Sequence, residues 1–309
     1  MKSRISKVNR GFALATSTAA VLLSIAAVSG AKEARVVDVA QSVQDNCDRM
    51  AGSPNDTQRN IAFAAVELGQ IDLDAINSCR AAFETTGNPR FAYQLGRVLN
   101  QAQEVDQAMS AYEAAVQADY AAAKVNFGML MGRLGDSEAE FKMYKEAVES
   151  GNVLASYNLG VAYRDGVGTA PDVNQAIAWF EKAAAAGDDT AAFNIAVIYD
   201  EGTLVPAEDE TAIAWYDLAV ARGNVDAMVN LGIMLETGEG IEPNLQQAAE
   251  MYALAAEKGD TFGATRLMEL DAAGVLAPPS DVAEADDGMR TLVLKEGDFE
   301  TLSGSAQDI

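Results

Sequence analysis

Few residues in this sequence have the types and spacing that catalysis needs. The chain contains no histidine, the side chain that most often acts as a general base or a metal ligand. Paired acids occur at Asp188-Asp189 and at Glu208-Asp209-Glu210, but both groups fall in predicted loops, where carboxylates are usually solvated. The acids also lack the spacing of a calcium loop. The sequence therefore predicts no catalytic site, no metal and no cofactor.

The residues that do recur are amides. Gln94, Asn126, Asn158, Asn194 and Asn230 are separated by 32, 32, 36 and 36 residues. A side-chain amide carries donors and an acceptor, so it can bind other polar groups without reacting with them. The same side chains could equally bond to the next structural unit and serve packing alone. The sequence leaves both interpretations open.

These amides lie within a repeated pattern of two helices. Ala155, Leu159 and Tyr163 follow each other at helical spacing, and similar residues return 36 residues later. Gly160 falls inside the first helix, where glycine costs about 1 kcal/mol relative to alanine. We expect that the missing side chain lets the second helix approach closely. A fixed period of this length is typical of a solenoid.

The length of the repeat changes along the chain in one place only. From the small residue of the first helix to the aromatic residue of the second there are 16 residues in two units and 20 in three, whereas 16 residues always separate that aromatic residue from the next unit. The five pairs are Gly96–Tyr112, Gly128–Tyr144, Gly160–Phe180, Ala196–Tyr216 and Gly232–Tyr252. The four extra residues therefore lengthen only the connection within a unit.

The pattern resembles the Sel1-like (Sel-one-like) repeat, a relative of the tetratricopeptide repeat. The matching residues are Ala155, Leu159-Gly160, Tyr163, Gly166, Gly168, Asp172, Ala176, Trp179-Phe180, Lys182-Ala183-Ala184 and Gly187. In the later units Ala196 replaces the helix glycine and Met251 replaces the tryptophan. The resemblance implies an all-α fold, a right-handed α-solenoid of antiparallel helix pairs with an N-terminal cap.

The same comparison gives a domain organisation. We predict an N-terminal helical cap at 32–86, two tetratricopeptide-like repeats at 87–152, three Sel1-like repeats at 153–260 and a capping helix at 261–277. Residues 278–309 begin with Pro278-Pro279 and are rich in acids. This composition predicts a disordered tail.

Binding residues follow from the resemblance, because the first helices of such repeats line a concave groove. The recurring amide position would face that groove and bond a peptide backbone or carboxylate. The predicted binding residues are Gln94, Arg97, Asn126, Tyr157, Asn158, Arg164, Asn194 and Asn230. The alternatives are an inter-helix core for the apolar positions and a solvated surface for the arginines.

The first 31 residues are typical of a secretory signal. Four basic residues end at Arg10, an uncharged stretch runs from Gly11 to Val28, and Ser29-Gly30-Ala31 offers small residues for cleavage after Ala31. We expect the mature protein in the periplasm or secreted, without membrane insertion. The alternative is that the segment is kept as an anchor, since it is nearly long enough to span a bilayer.

Charge and cysteines support that interpretation. Segment 1–31 has four basic residues and no acid, so its loss would change the formal charge from −24 to −28. Such an acidic chain is a poor binder of nucleic acid. Cys47 and Cys79 are the two cysteines, and in an exported chain they predict a disulfide. The chain-entropy treatment gives it about 3 kcal/mol.

The sequence favours a non-catalytic periplasmic scaffold or regulator that binds a protein or peptide in the groove of its repeats. This rests on the solenoid, the export signal and the lack of a nucleophile with a histidine partner. The alternative is an envelope hydrolase that acts on cell-wall or β-lactam substrates.

Overall fold

The structure, a computed structural model, describes residues 41–276. The chain divides into two units, Met1–Ser42 and Val43–Ile309, and the account below concerns the second. The predicted signal segment 1–31 and the predicted acidic tail 278–309 lie outside the described residues.

All regular secondary structure between residues 43 and 276 is helical. Helix α1 covers residues 43–51, and a short 3-10 turn at Leu68–Gln70 occupies the stretch for which the sequence left helix and extended chain open. The remaining helices are α2 Ala75–Thr86, α3 Pro89–Gln101, α4 Val105–Gln117, α5 Ala121–Arg133, α6 Ser137–Val148, α7 Val153–Asp165, α8 Val173–Ala185, α9 Asp189–Glu201, α10 Asp209–Ala221, α11 Val225–Thr237, α12 Leu245–Glu257 and α13 Thr261–Ala272.

Consecutive helices pack as pairs, and each pair packs on the next. We call the first helix of a pair (α3, α5, α7, α9, α11 and the unpaired α13) an A helix, and the second (α4, α6, α8, α10, α12) a B helix. Asn or Asp caps recur at A-helix starts: Asn152, Asp188 and Asn224 each accept a bond from the backbone N–H three residues on. The all-α solenoid predicted from the sequence is confirmed.

The contact inside each pair is an aromatic ring against a residue without a large side chain. A Cβ atom added to Gly160 would lie 2.5 Å from the ring of Phe180, and one added to Gly232 would lie 2.7 Å from the ring of Tyr252. Both rings are fully buried. The expected steric role of the helix glycine is therefore confirmed.

The four extra residues of the longer units form a loop that is bonded at its base and packed outward. Asp172 N–H donates to the carbonyl of Tyr163 over 2.8 Å, and Asn244 N–H donates to that of Leu235 over 2.7 Å. At Gly240, where φ is +66°, an added Cβ would lie 2.0 Å from Asp209 Cβ. This loop thus touches the start of the preceding B helix and adds to the contact between repeats.

One buried acid on the B helices has no compensating partner. Burial raises the pKa of Asp217 on α10 to about 6. The folded protein therefore binds this proton more tightly than the unfolded chain, whose value is near 3.8. The charged form destabilises the fold above pH 6, and that penalty disappears as the pH falls through 6 towards 4.

We expect Gly160→Val to lower the free energy of unfolding by about 2 kcal/mol or more, because the added side chain would overlap the Phe180 ring. Chemical denaturation would measure it. Gly69→Ala is the matched control, since a Cβ there would have no atom within 4 Å. An equal loss in both variants would contradict the steric account.

We expect Asp217→Asn to raise the Tm at pH 7.5, because the neutral amide carries no charge to desolvate. The gain should shrink as the pH falls below about 6 and vanish near 3.8. Thermal unfolding followed by circular dichroism across this range would measure it. Glu113→Gln, an exposed position in the middle of α4, should give no such pH-dependent difference.

Candidate functional site

The predicted binding residues all lie on the A helices, but they fall into two groups. Gln94 and Arg97 on α3 are buried, with 0% and 3% of their surfaces exposed. Asn126, Asn158, Asn194 and Asn230, on α5, α7, α9 and α11, are only partly buried. We call the surface formed by the second group and its neighbours on these helices the A-helix face. It is the candidate site.

Residues 48–66 cover the first unit and use its polar side chains. Arg97 donates from Nη1 to the carbonyl of Ala51 over 2.6 Å and from Nη2 to the carbonyl of Val66 over 2.8 Å. Val66 N–H donates to the carbonyl of Gly52 over 2.7 Å, which closes a loop between these two residues. The binding role predicted for Arg97 is therefore not available in this conformation, because its donors are occupied within the chain.

A buried carboxylate anchors the start of this segment. Asp48 accepts a 3.0 Å bond from Gln94 Nε2, a 3.0 Å bond from Arg90 and a 2.9 Å bond from Asn60. Oε1 of Gln94 contacts the sulphur of Cys47 at 2.9 Å, and this is not a hydrogen bond, because that sulphur is bridged to Cys79 and carries no proton. Gln94 thus holds the cap and cannot reach a ligand.

A second buried carboxylate fixes the loop itself. Asp56 is 3% exposed and accepts a 2.7 Å bond from the hydroxyl of Tyr120. Burial raises the pKa of Asp56, and the bond from Tyr120 opposes that rise. The Cys47–Cys79 disulfide, predicted from the sequence and present in the structure, ties the same segment to α2. The cap is therefore an integral part of the fold.

A small cavity opens where the cap ends and the A-helix face begins. Its volume is about 140 Å³. The cap supplies Pro54 and Leu68, and the A helices supply Asn126, Met129 and Leu154. Met129 is 48% exposed and Leu68 46% exposed. The predicted residue Asn126 therefore lies beside an open, partly apolar recess.

The next unit presents an amide donor that nothing satisfies. Nδ2 of Asn158 on α7 is buried and has no hydrogen-bond partner among the described residues. Tyr157 beside it is partly buried and its ring centroid lies 5.8 Å from that of Phe180. A buried donor left unpaired costs about 1–3 kcal/mol, so a ligand carbonyl at this position would regain that energy.

Further along, the amides connect neighbouring units. Asn194 on α9 accepts a 2.5 Å bond from Arg164 on α7, and its own Nδ2 donates to Thr190 in the same helix. Arg164 also pairs with Asp165 at 2.7 Å, and this bond lowers the pKa of Asp165. Asn194 and Arg164 therefore serve the contact between repeats, as the packing alternative predicted, while both stay partly exposed.

Asn230 belongs to a group that the sequence analysis missed. Its Nδ2 donates to the hydroxyl of Tyr216 over 3.0 Å, and that hydroxyl donates to Asp200 over 2.7 Å. Tyr252 donates in the same way to Glu236 over 2.8 Å. The signal was present in the sequence, since an acid stands 16 residues before each tyrosine, whereas Arg164 stands 16 before Phe180.

No described residues form a group of three or more acids or cysteines arranged to hold a metal ion. Among residues 41–276, no helix has the length and apolar character needed to span a bilayer.

Comparison with known proteins gives the repeats a name. The sequence profile of the Sel1 repeat matches residues 153–188, 190–224 and 225–260. Residues 153–260 form three Sel1 repeats. The curated proteins include no match to this sequence.

Solved structures agree on the fold. A protective antigen of uropathogenic Escherichia coli with an SLR fold matches at a TM-score of 0.63 and 23% identity, over 89% of this chain and 55% of its own. A Sel1 repeat protein from Oxalobacter formigenes matches at 0.57 and 24%, over 65% of this chain and 60% of its own. This chain thus spans somewhat more than half the length of each. The likeness shows the fold, which is that of an interaction scaffold.

We expect Arg97→Ala to destabilise the cap, because it leaves the carbonyls of Ala51 and Val66 buried without a donor. The loss should be about 2–4 kcal/mol. Hydrogen exchange should also accelerate in residues 48–66. Arg133→Ala is the control, since that side chain lies at the surface. Unchanged exchange in Arg97→Ala would contradict the role given to this arginine.

Proposed function

We propose that this protein is a non-catalytic scaffold outside the cytoplasm, in the periplasm or secreted, that binds an extended segment of another protein on its A-helix face. The unpaired Nδ2 of Asn158 carries the proposal. It lies between the recess at Asn126 and the partly exposed Asn194. Three amides in successive units could therefore bond successive backbone groups of one bound chain.

Two further features support this proposal. The Cys47–Cys79 disulfide is of the kind that persists in oxidising compartments, which agrees with the export signal predicted at residues 1–31. The first unit already holds a stretch of its own chain through the carbonyls of Ala51 and Val66, so side chains at this position can hold a peptide backbone.

The alternative, an envelope hydrolase, draws no support from these contacts. The acids with the closest polar partners, Asp48 and Asp56, are 2% and 3% exposed and lie beneath the cap. A substrate could not reach them.

The test is recovery of a binding partner with variants of the A-helix face. We expect the double variant Asn158→Ala with Asn194→Ala to retain at least tenfold less of a stoichiometric partner from envelope extract. The matched control is Asn174→Ala with Gln246→Ala, which removes two exposed amides from B helices.

Circular dichroism would confirm that both double variants are folded. Equal recovery with both would place the interface elsewhere. Turnover of nitrocefin or peptidoglycan that survives both changes would favour the hydrolase.

A further inference from the structure

The recess beside Asn126 has two walls from different parts of the fold. One wall is the cap, with Pro54 and Leu68, and the other is formed by Met129 on α5 and Leu154 on α7. Its volume of about 140 Å³ is close to that of an apolar cavity that admits a benzene ring, about 150 Å³. One large apolar side chain fits this space.

The exposure of the walls indicates that the recess is an interaction surface. Met129 and Leu68 are 48% and 46% exposed. Polar side chains border them, including Asn100 and Asn126. Apolar surface rimmed by polar groups is typical of a binding site. At the position that Met129 holds in its repeat, Val161 and Ile233 of later units are less exposed, so the recess is a local feature and not a property of every repeat.

The cap forms a fixed wall and not a plug that a ligand must displace. Asp48, Ser53 and Asp56 are buried at 2%, 4% and 3% exposure. Their removal from the repeats would break the bonds to Arg90, Gln94 and Tyr120. Breaking buried charged pairs of this kind costs several kcal/mol. A ligand therefore gains more from binding beside the cap than from replacing it.

The charge of the A-helix face beyond the recess selects the rest of the ligand. Asp200 and Glu201 lie at the end of α9, and Asp226 lies at the start of α11. Glu201 acts on Arg164 through its charge, and Asp226 holds the position in its repeat that Leu154 holds beside the recess. Acids outnumber Arg164 in this part of the face, so a basic segment is complementary to it.

We propose that the recess is a specificity pocket for one large apolar side chain of an extended, basic segment of the partner protein. This inference rests on the proposed function and adds the chemistry of the partner. Neighbouring A helices lie about 10 Å apart, so α9 is about 20 Å from α5. An extended chain covers that distance in about six residues. The apolar anchor and the basic residue are therefore about six positions apart.

The experiment is selection of random twelve-residue peptides, displayed on phage, against the full, disulfide-intact protein. We expect the enriched sequences to carry Leu, Ile, Met or Phe about six positions from Lys or Arg. A synthetic peptide of the enriched sequence, labelled with fluorescein, would then be titrated by fluorescence anisotropy.

Four variants test the contacts. Met129→Asp and Leu68→Asp, one from each wall, should each raise the Kd at least tenfold. Glu201→Gln with Asp226→Asn should raise it at least threefold, and added salt should reduce that difference. Leu254→Asp, at a 39% exposed position on α12, is the matched control and should change the Kd less than twofold.

Three results would overturn the inference. Enriched peptides without an apolar anchor, with a Kd that Met129→Asp leaves unchanged but Asn158→Ala raises, would overturn it and leave the proposed function standing. Tighter binding to Arg97→Ala would show that the cap is a plug. Enrichment of no peptide would count against the proposed function as well.

Discussion

The close approach of an aromatic ring to a helix position without a large side chain sets the geometry of every repeat. Phe180 lies where a side chain at Gly160 would be, and Tyr252 does the same at Gly232. Dense packing of this kind tolerates little change in volume. Because each B helix is seated so closely on its A helix, the outer side of the A helix is left in a fixed orientation. The A-helix face exists because the inner contact allows only one arrangement.

That constraint also explains why the first unit differs from the others. The A helix of this unit has no preceding repeat, and the cap supplies what a neighbour would have supplied. Asp48 and Asp56 take up the bonds of Arg90, Gln94 and Tyr120, and the disulfide holds the segment in place. The same side chains that would bind a partner in a repeat further along are used here to close the end of the core. Binding capacity is exchanged for stability at this end.

The repeats could be predicted from the sequence because helical spacing, the small residue and the aromatic residue all recur at fixed intervals. The four-residue extension was also placed correctly, between the helices of a unit. The cap could not be predicted in the same way. Residues 48–66 carry no repeat, and their position depends on contacts such as Arg97 with Val66, 31 residues apart. No local pattern records such a contact, which is why Gln94 and Arg97 were expected in an open groove.

The single covalent link lies at one end of a stack in which each unit touches mainly its neighbours. Stability in such an array is nearly a sum of local terms. The disulfide spans only 32 residues of chain, within the cap, and at the opposite end α13 packs on α12 without a B helix of its own among the described residues. Thermal or mechanical opening should therefore begin at the carboxyl end and travel towards the bridged end. The molecule has a direction in which it comes apart, and the recess beside the cap lies in the part that persists longest.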